Sequence, residues 1–113
     1  MLGALMASAS AVVNVPATSK RGEIIEIKAL VRHAMETGFR RTQLGAQIPR
    51  DIIRQFVCLY NGAEIFRAEL HPAIAANPLL TFTTVATESG TIEFRWTGDK
   101  GFSVTESTKI TVV

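Results

Sequence analysis

The stretch Asp51–Trp96, DIIRQFVCLYNGAEIFRAELHPAIAANPLLTFTTVATESGTIEFRW, decides the fold. Two apolar runs meet at Asn61-Gly62, and two more meet at Ser89-Gly90. Asn-Gly between such runs signals a tight β-hairpin, because a type I′ turn needs positive φ at both central positions. Ser-Gly is weaker punctuation of the same kind. Two successive hairpin-like units in so short a span predict an antiparallel β protein.

Working outward, Ala11–Val15 reads as a first strand stopped by Pro16, and Lys20-Arg21-Gly22 as a turn. In Glu23–Val31, Ile25, Ile27, Ala29 and Val31 alternate with Glu26 and Lys28, interrupted only by Ile24 and Leu30. That is the pattern of a strand with one face in the core and one in water. Ile52–Tyr60 is apolar on both faces, as a central strand should be. Glu64–Leu70, Leu80–Ala86 and Ile92–Trp96 alternate again. Gly98–Gly101 is a turn, and Phe102–Val113 a last strand expected to bend or bulge near Glu106-Ser107. Together these predict an all-β, immunoglobulin-like β-sandwich of about seven antiparallel strands. The Cys…Trp…Cys spacing of antibody domains is absent, so the expectation covers architecture alone.

Two connections stand out. Ala34–Pro49 has no periodicity, and loops of that length in compact domains are usually functional. His71–Pro78 is punctuated by proline, with a helical turn expected at Ala73–Ala76.

Composition narrows the function. The 113 residues form one domain, large enough to remove roughly two-thirds of the unfolded chain's surface from water. With 47% hydrophobic and 19% charged residues the chain is neither disordered nor fibrous. A net charge of +2 is too small to suggest a nucleic-acid or membrane-surface partner. No run nears the roughly 18 apolar residues of a membrane span. Residues 1–10 read as a flexible leading segment before a domain at 11–113. Leu2–Ala7 is apolar and Ala7-Ser8-Ala9 resembles a cleavage site, but no Lys or Arg precedes it and the apolar run is short for a signal peptide.

Chemistry-bearing residues are few. Cys58, the single cysteine, lies in apolar text (Phe56, Val57, Leu59, Tyr60) and reads as a small hydrophobe in a central strand. An intersubunit disulfide and a reactive thiol are the alternatives. His33 and His71 have no closely spaced ligand partner, so no metal site is expected; His71 is expected at a strand end, bonding nearby backbone. No glycine-rich phosphate cradle and no nucleophile elbow occurs, which argues against a cofactor and against an enzyme. Phe39-Arg40-Arg41, with Arg50 and Arg54 beyond, reads either as a solvated loop or as a docking loop, since arginine and aromatic residues are enriched where partners bind.

Several uncommon words occur in order: His33–Arg41 (HAMETGFRR), Ile48-Pro49-Arg50, Tyr60-Asn61-Gly62, Ala68–Pro72 (AELHP), Ala75–Pro78 (AANP) and Phe82–Thr91 (FTTVATESGT). Through them the chain, from about Asn14 to Val113, resembles the SoxZ family, the Z subunits of the SoxYZ sulfur-carrier complexes of thiosulfate-oxidising bacteria. The resemblance implies a non-catalytic periplasmic subunit without a signal of its own, exported on a signal-bearing SoxY. It also implies that the sulfur intermediate rides on a cysteine in a Gly-Gly-Cys-Gly-Gly tail of SoxY. This chain ends Ile110-Thr111-Val112-Val113 and is expected to be the carrier's partner, in a heterodimer that other Sox enzymes contact transiently. The family gives no interface map. Motif words and loop length single out Met35–Arg41 and Ala75–Leu79, with Met35, Phe39, Pro78 and Leu79 as the apolar centre, Arg40 and Arg41 as the rim, and Asn77 as a further contact residue. The competing class is a generic immunoglobulin-like binding or adhesion module, which architecture alone does not separate from this one.

Overall fold

At Asn61-Gly62 the chain reverses with φ of 48° and 83°, the double positive φ that the hairpin reading requires. The computed structural model describes residues 3–7, as a backbone path, and 10–113. Its strands are β1 (Gly3–Ala7), β2 (Ala11–Pro16), β3 (Thr18–Ser19), β4 (Ile24–Val31), β5 (Ile53–Tyr60), β6 (Ala63–Glu69), β7 (Leu79–Val85), β8 (Gly90–Gly98) and β9 (Ser103–Val112). One sheet has the order β1-β2-β4-β7 and the other β3-β9-β8-β5-β6. All neighbours are antiparallel except β3 and β9. The seven expected strands are β2 and β4–β9. β3 arises because the chain leaves the first sheet after Pro16 and joins the second at Thr18, beside Thr111. This is an immunoglobulin-like β-sandwich.

Four local expectations are revised. The leading segment 1–10, expected to be flexible, contains β1 at Gly3–Ala7, paired with β2 (Leu5 opposite Asn14). Met1, Leu2, Ser8 and Ala9 lie outside the described residues, and the expectation about Ala7-Ser8-Ala9 lies there with them. The second hairpin is not one, because β7 and β8 belong to different sheets and Thr87–Ser89 carries the chain across. Gly90 is required by close approach rather than by a turn: a Cβ there would sit 1.7 Å from Asn61 Oδ1, which accepts a hydrogen bond from Thr91 N–H at 2.9 Å. β9 pairs with β8 without a register shift, so no bulge occurs at Glu106-Ser107. The bulges lie elsewhere: Arg54 is the extra residue of β5 opposite β8, and Ile65 is the extra residue of β6 opposite Cys58 and Leu59. Finally, Ile74 N–H bonds His71 C=O in a single turn, and no helix forms at Ala73–Ala76.

Between the sheets, the inward sides of β2 and β4 (Val13, Val15, Ile25, Ile27, Val31) meet Phe56, Cys58, Ile92, Phe94, Trp96 and Ile110. Phe56 is central, with ring centroids 5.2 Å from Trp96, 6.0 Å from Phe82 and 6.3 Å from Phe94. Fully burying a side chain of this size contributes about 1.5–3 kcal/mol. This rigid centre fixes where the loops begin. Leu30 lies opposite Leu79, Gln55 opposite Glu69, Ile53 opposite Gly98 and Thr97 opposite Ser103. The connections 32–52, 70–78 and 99–102 therefore leave the sandwich at one end.

Candidate functional site

The long connection 32–52 is not structureless. Glu36 and Asp51 exchange backbone hydrogen bonds of 2.8 and 2.9 Å, and Ile48 N–H bonds Arg40 C=O at 2.9 Å. The chain thus runs out and back as a narrow ribbon whose tip, Thr42–Ala46, is closed by Thr42 N–H to Ala46 C=O at 2.8 Å. Thr42, Gly45 and Ala46 supply the turn chemistry, while the apolar Leu44 between them is 97% exposed.

Three contacts brace the ribbon's base. His33 N–H donates to Asn77 Oδ1 at 2.9 Å and Asn77 N–H to His33 C=O at 2.8 Å, tying it to the 70–78 loop. Arg50 grips Asp99 through Nε and an Nη at 2.9 and 3.0 Å, tying it to the β8–β9 turn. That hydrogen bond holds the Asp99 carboxyl below the ordinary aspartate range. Asp99 Oδ2 also accepts from Ile52 N–H at 3.2 Å. Third, His33 Nδ1 accepts from Met35 N–H at 2.9 Å, so its hydrogen sits on Nε2, 3.6 Å from Asp51 Oδ1. The imidazole stands edge-on to Phe102, with centroids 4.8 Å apart.

On this scaffold the singled-out residues separate. Phe39 is 82% exposed and Leu79 57%. Arg40, Arg41 and Asn77 are also at the surface. Met35 and Pro78 are not, which corrects their assignment to an apolar contact surface. Met35 is 4% exposed, with its sulfur accepting from Ile53 N–H at 3.2 Å. Pro78 is buried and its carbonyl accepts from Val31 N–H at 3.2 Å. Both lie where strands enter and leave the sandwich, so burial follows from position. Arg40 is not a free charge, because it forks onto Glu36 through Nε at 3.2 Å and an Nη at 2.5 Å. This hydrogen bond lowers the Glu36 pKa and raises that of Arg40. Arg41 donates to Gly45 C=O at 3.0 Å near the tip. Leu44 was not singled out from sequence; a lone Leu among Thr, Gln and Gly in an unpatterned loop was the available signal.

Beside the ribbon's base an open cleft of about 370 Å³ is lined by Arg50, Arg54, Leu70, His71, Thr97 and Gly98. The bulge of β5 makes Arg54 an extra residue opposite β8, beside this cleft. The exposed His71 stands just past β6, its carbonyl accepting from Ile74 N–H at 3.0 Å.

Cys58 lies far from this surface chemistry. It is wholly buried in β5, opposite Phe66 on one side and Phe94 on the other. Burial pushes its thiol pKa up to about 12, so the nucleophilic thiolate is suppressed at neutral pH. Among the described residues no three His, Cys, Asp or Glu side chains are grouped to hold a metal ion. No helix of the described chain is long and apolar enough to cross a membrane.

A superoxide reductase (neelaredoxin) from Ignicoccus hospitalis has a similar structure, with a TM-score of 0.69 at 15% identity over 92% of this chain and 80% of that one. The CARDB domain of a Pyrococcus furiosus protein gives 0.50 at 14% identity over 99% and 96%. At such identities the likeness is one of fold alone. No curated protein matches the sequence significantly. The family described as sulphur oxidation protein SoxZ matches residues 13–109, a span that holds the ribbon, the 70–78 loop and most of both sheets. The chain belongs to the SoxZ family.

Proposed function

We propose that this chain is the non-catalytic subunit of a periplasmic sulfur-carrier complex of thiosulfate oxidation. It binds a SoxY protein as a heterodimer and is exported with it. SoxY's tail cysteine bears the sulfur intermediate, and this subunit offers docking surface to the enzymes that act on it. The observation that carries the reading is a pairing of facts: the chain is a SoxZ, yet its single cysteine is sealed between two sheets with a suppressed thiolate. A sulfur-oxidation protein without an available thiol in this domain serves a partner that has one.

The loop end suits the docking part of this role. A mobile tail presents no fixed recognition surface, whereas a braced ribbon on a rigid sandwich does. Phe39, Leu44 and Leu79 supply apolar contact, and Arg41 and Arg54 supply a charged rim. Tethering keeps the intermediate at high effective concentration while successive enzymes visit.

The test is co-purification with the protein encoded beside this one, followed by intact mass. A tight complex whose partner carries added sulfur mass on a tail cysteine is expected. A lone monomer with a sulfur adduct on Cys58 would overturn the reading.

A further inference from the structure

The two strands on one flank of the sandwich end their sheets very differently. β6 is guarded by Glu64, Arg67 and Glu69 and by its own bulge at Ile65. Such features prevent edge-to-edge pairing. β7, reading Leu79-Leu80-Thr81-Phe82-Thr83-Thr84-Val85, has no charge, no proline and no bulge.

Its hydrogen-bonding phase follows from the bonds at its ends. Val31 N–H bonds Pro78 C=O, and Ala86 N–H bonds Glu23 C=O. With the register between, Leu80, Phe82 and Thr84 spend both main-chain groups on β4. Leu79, Thr81, Thr83 and Val85 then aim their N–H and C=O groups at the open edge, where no described residue takes them.

The outward side chains form a pattern that complements itself. Across β4 and β7, Leu30 faces Leu79, Lys28 faces Thr81, Glu26 faces Thr83 and Ile24 faces Val85. A second copy laid antiparallel about a twofold axis at Phe82 puts Leu79 opposite Val85 and Thr81 opposite Thr83. The two outer rows become Leu30–Leu79–Val85–Ile24, entirely aliphatic. The two middle rows become Lys28–Thr81–Thr83–Glu26, each with opposite charges at its ends. Aliphatic and Thr–Thr cross-strand pairs are favourable, and a twofold interface requires this kind of self-match. Shifting the register by two residues puts Lys28 at both ends of one row.

We propose that β7 is a homodimerisation edge, through which a second copy of this chain extends the β1-β2-β4-β7 sheet across a twofold axis. The four facing residues of each copy then form four narrow pairs with two main-chain bonds in each. Ile24, Leu79 and Val85, at 71%, 57% and 45% exposure, come together on the outer face of the joined sheet. Leu79 alone is shared with the docking surface; the variants that test the edge lie at Thr81 and Thr83, outside it, so the SoxY reading is tested separately.

Sedimentation equilibrium of the full chain tests this. The wild type is expected to dimerise, and Thr83→Pro to raise the dissociation constant at least tenfold. The Thr83 N–H faces the edge, so proline there removes no bond to β4. Charge pairs give a second readout that does not depend on proline being accommodated. Thr81→Lys with Thr83→Lys places lysine opposite lysine and dissociates the dimer. Thr81→Glu with Thr83→Lys places Glu opposite Lys and keeps it. A wild-type monomer at all concentrations, a dimer indifferent to these changes, or an edge filled by a strand of another protein would overturn the proposal.

Discussion

His33 and Asn77, 44 positions apart, hold one another through two hydrogen bonds of 2.9 and 2.8 Å. One uses the Asn77 side chain, the other its backbone. Asn77 has φ of 52°, a conformation that asparagine tolerates better than most residues. Asn77→Ala loses both the side-chain bond and the backbone fit and should cost roughly 1–2 kcal/mol. Asn77→Gly keeps the backbone fit and should cost less. Chemical unfolding of the two variants separates these parts; equal losses would mean the backbone conformation contributes nothing.

Phe39 and Leu44 bury almost nothing within the chain, so replacing either by Ala should leave folding stability within about 0.5 kcal/mol. If the ribbon is a docking surface, Phe39→Ala should still weaken association with a partner by about 1–2 kcal/mol, roughly tenfold. Calorimetry of unfolding and of binding, on the same protein, distinguishes a contact residue from a structural one.

Arg40 and Arg41 are adjacent in sequence but differ in charge balance. Glu36 offsets Arg40, whereas Arg41 bonds only a neutral carbonyl among the described residues. Removing Arg41 should therefore flatten the salt dependence of enzyme docking more than removing Arg40, and the double alanine variant should also slow association at low salt. Stopped-flow rates at two ionic strengths check this. Equal rates in all variants would take the arginines out of docking.

Cys58 should resist alkylation in the folded chain and react only on unfolding, because its thiol is both enclosed and hard to ionise. Cys58→Ser buries a hydroxyl and should cost roughly 1–3 kcal/mol. Sulfur loading of SoxY should nevertheless survive. Loss of loading in a folded Cys58→Ser complex would give the thiol a chemical role.

The Arg50–Asp99 tie gives the loop end a sign to its acid response. The folded pKa of Asp99 lies below its ordinary value, so the contribution is complete above the ordinary aspartate range. It is lost as pH falls through the lowered folded value. Amide shifts of Lys100–Phe102 should follow this acid titration, and Asp99→Asn should abolish it while leaving β5 and β8 paired.

Strand periodicity was legible wherever one face met the core and the other met water, as in Ile25–Val31. Asn61-Gly62 could be read because its geometry is local. Ser89-Gly90 could not. The glycine answers to a side chain 29 positions earlier, and nothing nearby reveals that the chain is crossing between sheets. At the site, loop length correctly marked 32–52 as unusual, but the exposure of individual residues did not follow. Met35 and Pro78 look like Phe39 and Leu79 in composition. They are buried because they stand at strand junctions, which alternation does not locate in an unpatterned loop. The uncommon words identified the family without indicating which of their residues face solvent.

The pairing of Thr18-Ser19 with Thr111-Val112 has a consequence for how the molecule is made. Thr18 and Ser19 find their neighbours 93 positions further along the chain. The second sheet cannot gain β3, nor can Val113 N–H reach Ser19 C=O, before β9 has been synthesised. Until then β2 can dock while Ala17 onward waits. Closure of this edge is therefore a late, non-local step of folding.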